Sequence, residues 1–150
     1  TAFLTPDKMR ALQKYAFLND INGRYVVRKL DRNGSVEADY VWVDFYLDAE
    51  NPIPDGDVYV NGSFCDWQAT SANKLNYDYD KKAYRGKVLM KQGYYDYQYV
   101  VKKPNGELDE SYIEVSYWET DNEYLIIVYH REIGIRYDRV IAVMSLNNKL

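Results

Sequence analysis

From Asp39 to Leu47 the chain alternates strictly. Val41, Val43, Phe45 and Leu47 fall on one side, and Tyr40, Trp42, Asp44 and Tyr46 on the other. Side chains of a strand point to opposite faces in turn, so this spacing predicts a half-buried antiparallel strand with one apolar face and one aromatic, acidic face. The run Tyr94 to Lys102 repeats the pattern, with Tyr95, Tyr97, Tyr99 and Val101 on one face and Tyr94, Asp96, Gln98 and Val100 on the other. Both apolar stripes need a common core, and two packed antiparallel sheets would supply it. Lys91-Gln92-Gly93 predicts a hairpin loop joining Ala83 to Met90 with Tyr94 to Lys102.

Further β-rich runs are Arg24 to Arg28, Val58 to Gly62, Tyr112 to Trp118, Glu123 to His130 and Tyr137 to Met144. Turn chemistry separates them at Asn22-Gly23, Asp31 to Gly34, Asn51 to Gly56, Pro104-Asn105-Gly106, Asp121-Asn122 and around Gly134. Many short strands between turn signals point to a sandwich and away from a parallel α/β sheet. Near the start, Thr5-Pro6-Asp7 reads as an N-cap with Pro at the first helical position, and Met9, Leu12 and Ala16 recur at helical spacing. A short helix is expected from about Pro6 to Tyr15. The expected organisation is a helical appendage or linker over 1–22 and a β-sandwich over 23–150.

With 150 residues the chain fits one ordinary core. Aromatics make up 16% of it and Tyr alone seventeen positions, a composition suited to half-buried strands. The formal charge of −4 gives no basic footprint for nucleic acid. Lys81-Lys82 and Lys102-Lys103, the densest basic pairs, read as solvated turns. Cys65 is the sole cysteine, which excludes an internal disulfide and a cysteine-rich metal site. Charged residues interrupt every hydrophobic stretch before the ~18 residues a membrane-spanning helix requires, so no integral membrane segment is expected. The first residue is Thr1, with no signal-peptide pattern, so a mature protein or a piece of a longer one is expected, its targeting signal lying outside.

Catalytic anchors are sparse. His130 is the only histidine, which removes multi-histidine metal sites, and it reads as a solvent-facing residue at a strand end. No Gly-x-Ser-x-Gly elbow, phosphate-cradling loop or dinucleotide fingerprint occurs. Asp78-Tyr79-Asp80 and Asp109-Glu110 are the candidates for a glycosidase pair or a calcium site, yet both lie in hydrophilic turns, where Asp is favoured for backbone hydrogen bonding. The expectation is a non-enzymatic domain with no catalytic residue, no metal and no cofactor.

The most specific stretch is Val58-Tyr59-Val60-Asn61-Gly62-Ser63-Phe64-Cys65-Asp66-Trp67. It resembles the opening of the glycogen-binding modules of AMP-activated kinase β subunits and branching enzymes, and Tyr77-Asp78, Tyr84, Leu89 and Gly93 to Val101 resemble the rest of that pattern. The resemblance implies an early-set, immunoglobulin-like fold. In those modules a sugar stacks on two Trp rings beside a Lys. Trp67 matches the first Trp, Gln98 stands where the Lys is usual, and the loop Lys102 to Asp109 has no Trp at the place of the second. Trp67 and Gln98 are therefore the carbohydrate candidates only under an alternative reading, as an α-glucan-binding module or an accessory domain of a carbohydrate-active enzyme. Trp67 reads first as a fold residue.

A second resemblance extends over nearly the whole chain. Asn19 to Tyr25, Glu37 to Val43, the Gly-Ser-Phe-Cys-Asp-Trp stretch, Leu89 to Val101, and Glu119 to Tyr124 through Arg136 to Arg139 are similar to the C-terminal part of the type IX secretion system plug proteins of Bacteroidetes. That resemblance implies a periplasmic domain, associated with the outer membrane, that helps close a translocon pore through contact with the translocon protein. The strand face bearing Tyr40, Trp42 and Tyr46 is the candidate protein interface, because large rings with polar tips anchor interfaces and tolerate water when unbound. The competing reading is that these rings lie covered, beneath the N-terminal helix.

Overall fold

The structure, a computed structural model, describes residues 1–10, 21, 23–27, 39–116 and 123–147. The turn expected at 31–34, the helical positions from 11 onward, Asn22, Asp121-Asn122 and Trp118 lie outside the described residues. The chain divides into two compact units, Thr1–Val115 and Ser116–Leu150.

The first unit is mainly β. Among the described residues its strands are β1 (Ala2–Phe3), β2 (Asp7–Lys8), β3 (Tyr25–Val27), β4 (Tyr40–Asp48), β5 (Asp57–Gly62), β6 (Asn76–Asp78), β7 (Ala83–Lys91), β8 (Gly93–Tyr95), β9 (Tyr97–Lys102) and β10 (Leu108–Asp109), with one short α-helix, α1 (Ser111–Glu114). A five-stranded sheet runs in the order β1-β4-β7-β6, with β2 also beside β4. A three-stranded sheet runs β10-β9-β5, and β3 pairs with β8. The long pair is antiparallel β4 and β7, in register from Tyr40↔Lys91 to Asp48↔Ala83.

The alternation read along β4 is observed except at Asp44, which lies on the aromatic face yet is buried. Phe45 and Leu47 are fully buried and Val43 packs against the core from a partly buried position. Tyr99 and Val101 of β9 join the same core with Val58 and Val60 of β5, while Tyr95 and Tyr97 lie partly buried against it. Phe45 meets the edge of Tyr97 at 5.2 Å between centroids, in the T-shaped geometry that suits the ring quadrupoles. The two period-two stripes therefore do share one hydrophobic cluster.

Three local expectations are corrected. Residues up to Arg10 do not start a helix at Pro6, since Asp7 and Lys8 form β2, parallel to Leu47 and Asp48. The Asp7 carboxylate, expected near a helix start, instead accepts hydrogen bonds from the hydroxyls of Tyr97 at 2.8 Å and Tyr99 at 2.7 Å. Met9 packs against the core. A pair of long-range hydrogen bonds outweighs the weak local preference of a single capping signal.

The expected hairpin across Lys91-Gln92-Gly93 is also absent. β7 lies between β4 and β6, whereas β9 lies between β10 and β5, so the chain passes from one sheet to the other at this point. Gly93 starts β8 opposite Val27, and a Cβ there would come within 2.5 Å of the Val26 carbonyl oxygen. Its role is to permit close approach of two backbones, which short-loop patterns do not distinguish from a tight turn. Finally, Tyr112 to Glu114 are helical, not extended. Asp109 Oδ1 accepts from the backbone of Ser111 and Tyr112 at 3.1 Å each, which bends the chain into a helical turn and carries Ile113 into the core.

The second unit is an antiparallel hairpin of β11 (Glu123–His130) and β12 (Arg139–Asn147), close to the strands expected there.

Candidate functional site

The outer face of the five-stranded sheet carries the residues singled out in β4. Tyr40 is 64% exposed and Trp42 50%. Their cross-strand partners on β7 are Lys91 and Leu89, and Leu89 is itself exposed. The Lys91 ammonium lies 5.9 Å from the centre of the Tyr40 ring, within the range of a cation–π contact. Directly opposite residues on one face of an antiparallel pair are the natural unit of contact, so register alone brings these four side chains together.

Further along the same face, Asp44 is buried and Arg85 reaches it at 3.2 Å. The Arg85 guanidinium also lies 5.5 Å from the centre of the Tyr46 ring. Tyr46 is thereby half-buried, and its hydroxyl donates to the Lys81 carbonyl at 3.4 Å. Beside it is a shallow depression of about 530 Å³, lined by Asp44, Asn76, Tyr77, Asp78, Arg85, Gly86 and Lys87. Of the three aromatic candidates, Tyr40 and Trp42 present open rings, and Tyr46 serves as the platform for Arg85.

Trp67 sits elsewhere, at the end of the loop that follows β5. Gly62 is tightly enclosed, since a Cβ there would lie 2.7 Å from both the Asp96 carbonyl oxygen and the Phe64 ring. A 3₁₀ turn, Ser63–Cys65, follows, and it aims Phe64 at Phe45 with 6.1 Å between ring centroids. Asp66 and Trp67 then both take left-handed conformations, at φ 51° and 57°. A bulky residue seldom adopts that geometry unless its surroundings enforce it. Here two buried asparagines do so. Asn61 Nδ2 donates to the Trp67 carbonyl at 3.2 Å, and Asn73 Nδ2 donates to the carbonyls of Val60 at 2.8 Å and Gln68 at 3.0 Å.

Trp67 is 39% exposed, and its Cζ2 comes within 3.0 Å of where a Cβ on Gly23 would stand. Gly23 is held in turn by Asp96, whose Oδ2 accepts from the Gly23 and Ile21 amides at 2.9 Å each. Trp67 therefore rests against the turn before β3 with part of its ring in solvent. Gln98 pairs in register with Asn61, the residue that holds the Trp67 carbonyl. Asp96 and Asn73 escaped the sequence reading. The sequence did contain a signal for Asp96, since it is the one charged residue in the run Tyr94 to Val101.

The remaining titratable candidates occupy turns. Asp78 Oδ1 accepts from the amides of Asp80 and Lys81 at 3.0 Å each. Hydrogen bonds from Ser111, ahead of the ion pair with Lys103, hold the Asp109 carboxyl below its usual range. His130 is exposed at the end of β11, opposite Arg139. Among the described residues no three His, Cys, Asp or Glu side chains gather as a metal site would need.

Comparison with known proteins places this chain beside a crystal structure, at 2.30 Å resolution, of a hypothetical protein from Parabacteroides merdae ATCC 43184. The two share 38% sequence identity over 97% of this chain, with a TM-score of 0.81, and this chain spans only 37% of that protein's. No model of a known protein family matches, and no curated protein does.

Proposed function

We propose that this chain is a non-enzymatic domain of a type IX secretion plug-like protein, acting in the periplasm by protein–protein association at the outer-membrane translocon. The first unit is read as an immunoglobulin-like sandwich of the early-set type. Residues of β4 and β7 meeting those of β5 and β9 in one cluster support that fold.

The observation that carries the functional reading is the open row of Tyr40, Trp42 and Leu89 on the outer sheet face. Large rings packed into a partner's pockets supply most of the energy of many interfaces, and a specific stable contact buries about 1,200 Å² or more in total. The similarity of nearly the whole sequence to plug proteins, and the likeness to a protein of a Bacteroidetes organism, support the choice of partner. The test is to purify the translocon from cells whose plug-like protein carries Tyr40→Ala and Trp42→Ala together. Loss of co-purification with an unchanged melting temperature is expected. Full retention of co-purification and pore closure would assign plugging to another surface.

A glycan-binding module, or an accessory domain of a carbohydrate-active enzyme, is the second reading. The half-exposed Trp67 ring at the end of the Gly-Ser-Phe-Cys-Asp-Trp loop is what favours it.

A further inference from the structure

Among the described residues Asp44 is the one charged side chain that is buried, at 6% exposure. A buried carboxylate is costly unless donors meet its lone pairs. Asp44 has a single donor, Arg85 Nη2, which reaches Oδ2 at 3.2 Å, and Oδ1 accepts no hydrogen bond among the described residues. Arg85 is short of partners too. Its Nε is sealed from solvent with no acceptor, and the Tyr46 ring lies against the guanidinium. The ion pair is held in place yet incomplete on both sides.

This pair lies in the depression of about 530 Å³ beside Tyr46, a volume within the range of small-molecule sites. Two further polar side chains of the depression are unused. Lys87 stands directly opposite Asp44 in the β4–β7 register and is exposed, with no ion pair or hydrogen bond among the described residues. Asn76, opposite Arg85, is exposed as well, and its side-chain amide has no partner among them. Directly opposite residues stand about 4.5–5.5 Å apart at their Cβ atoms. An open carboxylate oxygen and an unpaired ammonium are thus neighbours on one surface, and all four side chains belong to the first unit.

The geometry points to this depression as a binding site for a small zwitterion of the α-amino acid class. The ligand's ammonium donates to Asp44 Oδ1, and its carboxylate meets Lys87 and the open end of Arg85. Asn76 lies beside them, and the rest of the depression leaves room for the ligand's own side chain. The charges of the lining balance, Asp44 and Asp78 against Arg85 and Lys87, as the charges of a zwitterion do. Other chemistries satisfy fewer of these groups. Inorganic phosphate sets like charge against Asp44, a simple amine leaves Lys87 without a counter-ion, and a neutral polyol brings hydrogen bonds but no charge to either. The site does not depend on the translocon reading, which uses the Tyr40, Trp42 and Leu89 row of the same face.

The test is an NMR titration of the isotope-labelled protein with each common α-amino acid. Lactate and inorganic phosphate, which lack the ammonium, ethanolamine, which lacks the carboxylate, and galactose, which lacks both, are the comparison probes. At least one amino acid should give saturable shifts at the Asp44, Asn76, Arg85 and Lys87 amides and bind at least ~10-fold more tightly than any comparison probe. Lys87→Met and Asp44→Asn should each weaken that binding ~10-fold or more, the loss that removing a charged hydrogen-bond partner brings. Because Lys87 is exposed and unpaired, Lys87→Met decides the matter even where Asp44→Asn loses the fold. No saturable shift with any amino acid up to about 10 mM would overturn the proposal, as would shifts centred outside the depression or unchanged binding in Lys87→Met. Equal binding of lactate or phosphate would overturn it in favour of a plain anion site, of ethanolamine in favour of a cation site, and of galactose in favour of a polyol site.

Discussion

Tyr99 donates its phenolic hydrogen to Asp7 at 2.7 Å across ninety-two positions of sequence. Tyr97 shares the same carboxylate oxygen at 2.8 Å. Glu114, from α1, accepts the Tyr99 amide at 3.0 Å and pairs with Arg10 at 3.3 Å. Three distant segments, the N-terminal strands, β9 and α1, are thus tied at one point. Removing the acceptor by Asp7→Ala leaves two phenols short of partners and should destabilise the first unit by about 2–3 kcal/mol, against about 1 kcal/mol for Tyr99→Phe. Denaturant titration of the two variants checks the order.

The same two tyrosines predict alkaline sensitivity. Burial first, and then the hydrogen bond to Asp7 and its charge, push both phenols well above their ordinary range. In the unfolded chain they ionise near pH ~10, while in the fold they stay protonated. Their contribution is therefore fully present below about pH 10 and is lost as pH rises beyond it. Between about pH 8 and about pH 11, Tyr99→Phe should lose less stability than the native sequence. Equal losses in both would assign the alkaline transition to other groups.

Phe45→Ala should cost about 3–5 kcal/mol, because the ring is 1% exposed and touches both Phe64 and Tyr97. Trp42→Ala on the opposite face of the same strand should stay within about 0.5 kcal/mol of the native stability. Thermal melts of the pair measure how far the two faces of β4 differ in function.

Glycogen and maltooligosaccharides should show no saturable binding up to about millimolar concentration, where free energies are only about −4 kcal/mol. One ring of Trp67, resting against Gly23, offers a single partial platform, and Gln98 stands where a Lys is usual. Titration calorimetry decides the matter, and saturable binding abolished by Trp67→Ala would favour the glycan reading.

The directions of side chains were legible in the sequence. In β4 the split between buried Phe45 and Leu47 and exposed Tyr40 and Trp42 follows from the strand period, which is a local property of the backbone. Tertiary structure alone decided which strand lies beside which, so β7 went to β4 and β6 while β9 went to β5. It also decided that Asp7 belongs to a strand, that Ile113 enters the core on a helical turn, and that Arg85 covers Tyr46 while Trp67 meets Gly23. Apart from the turn at Ile113, which Asp109 bends through bonds to its near neighbours Ser111 and Tyr112, those outcomes depend on partners tens of residues away, whose joint packing and hydrogen bonding outweigh the few tenths of a kcal/mol by which local propensity favours one conformation.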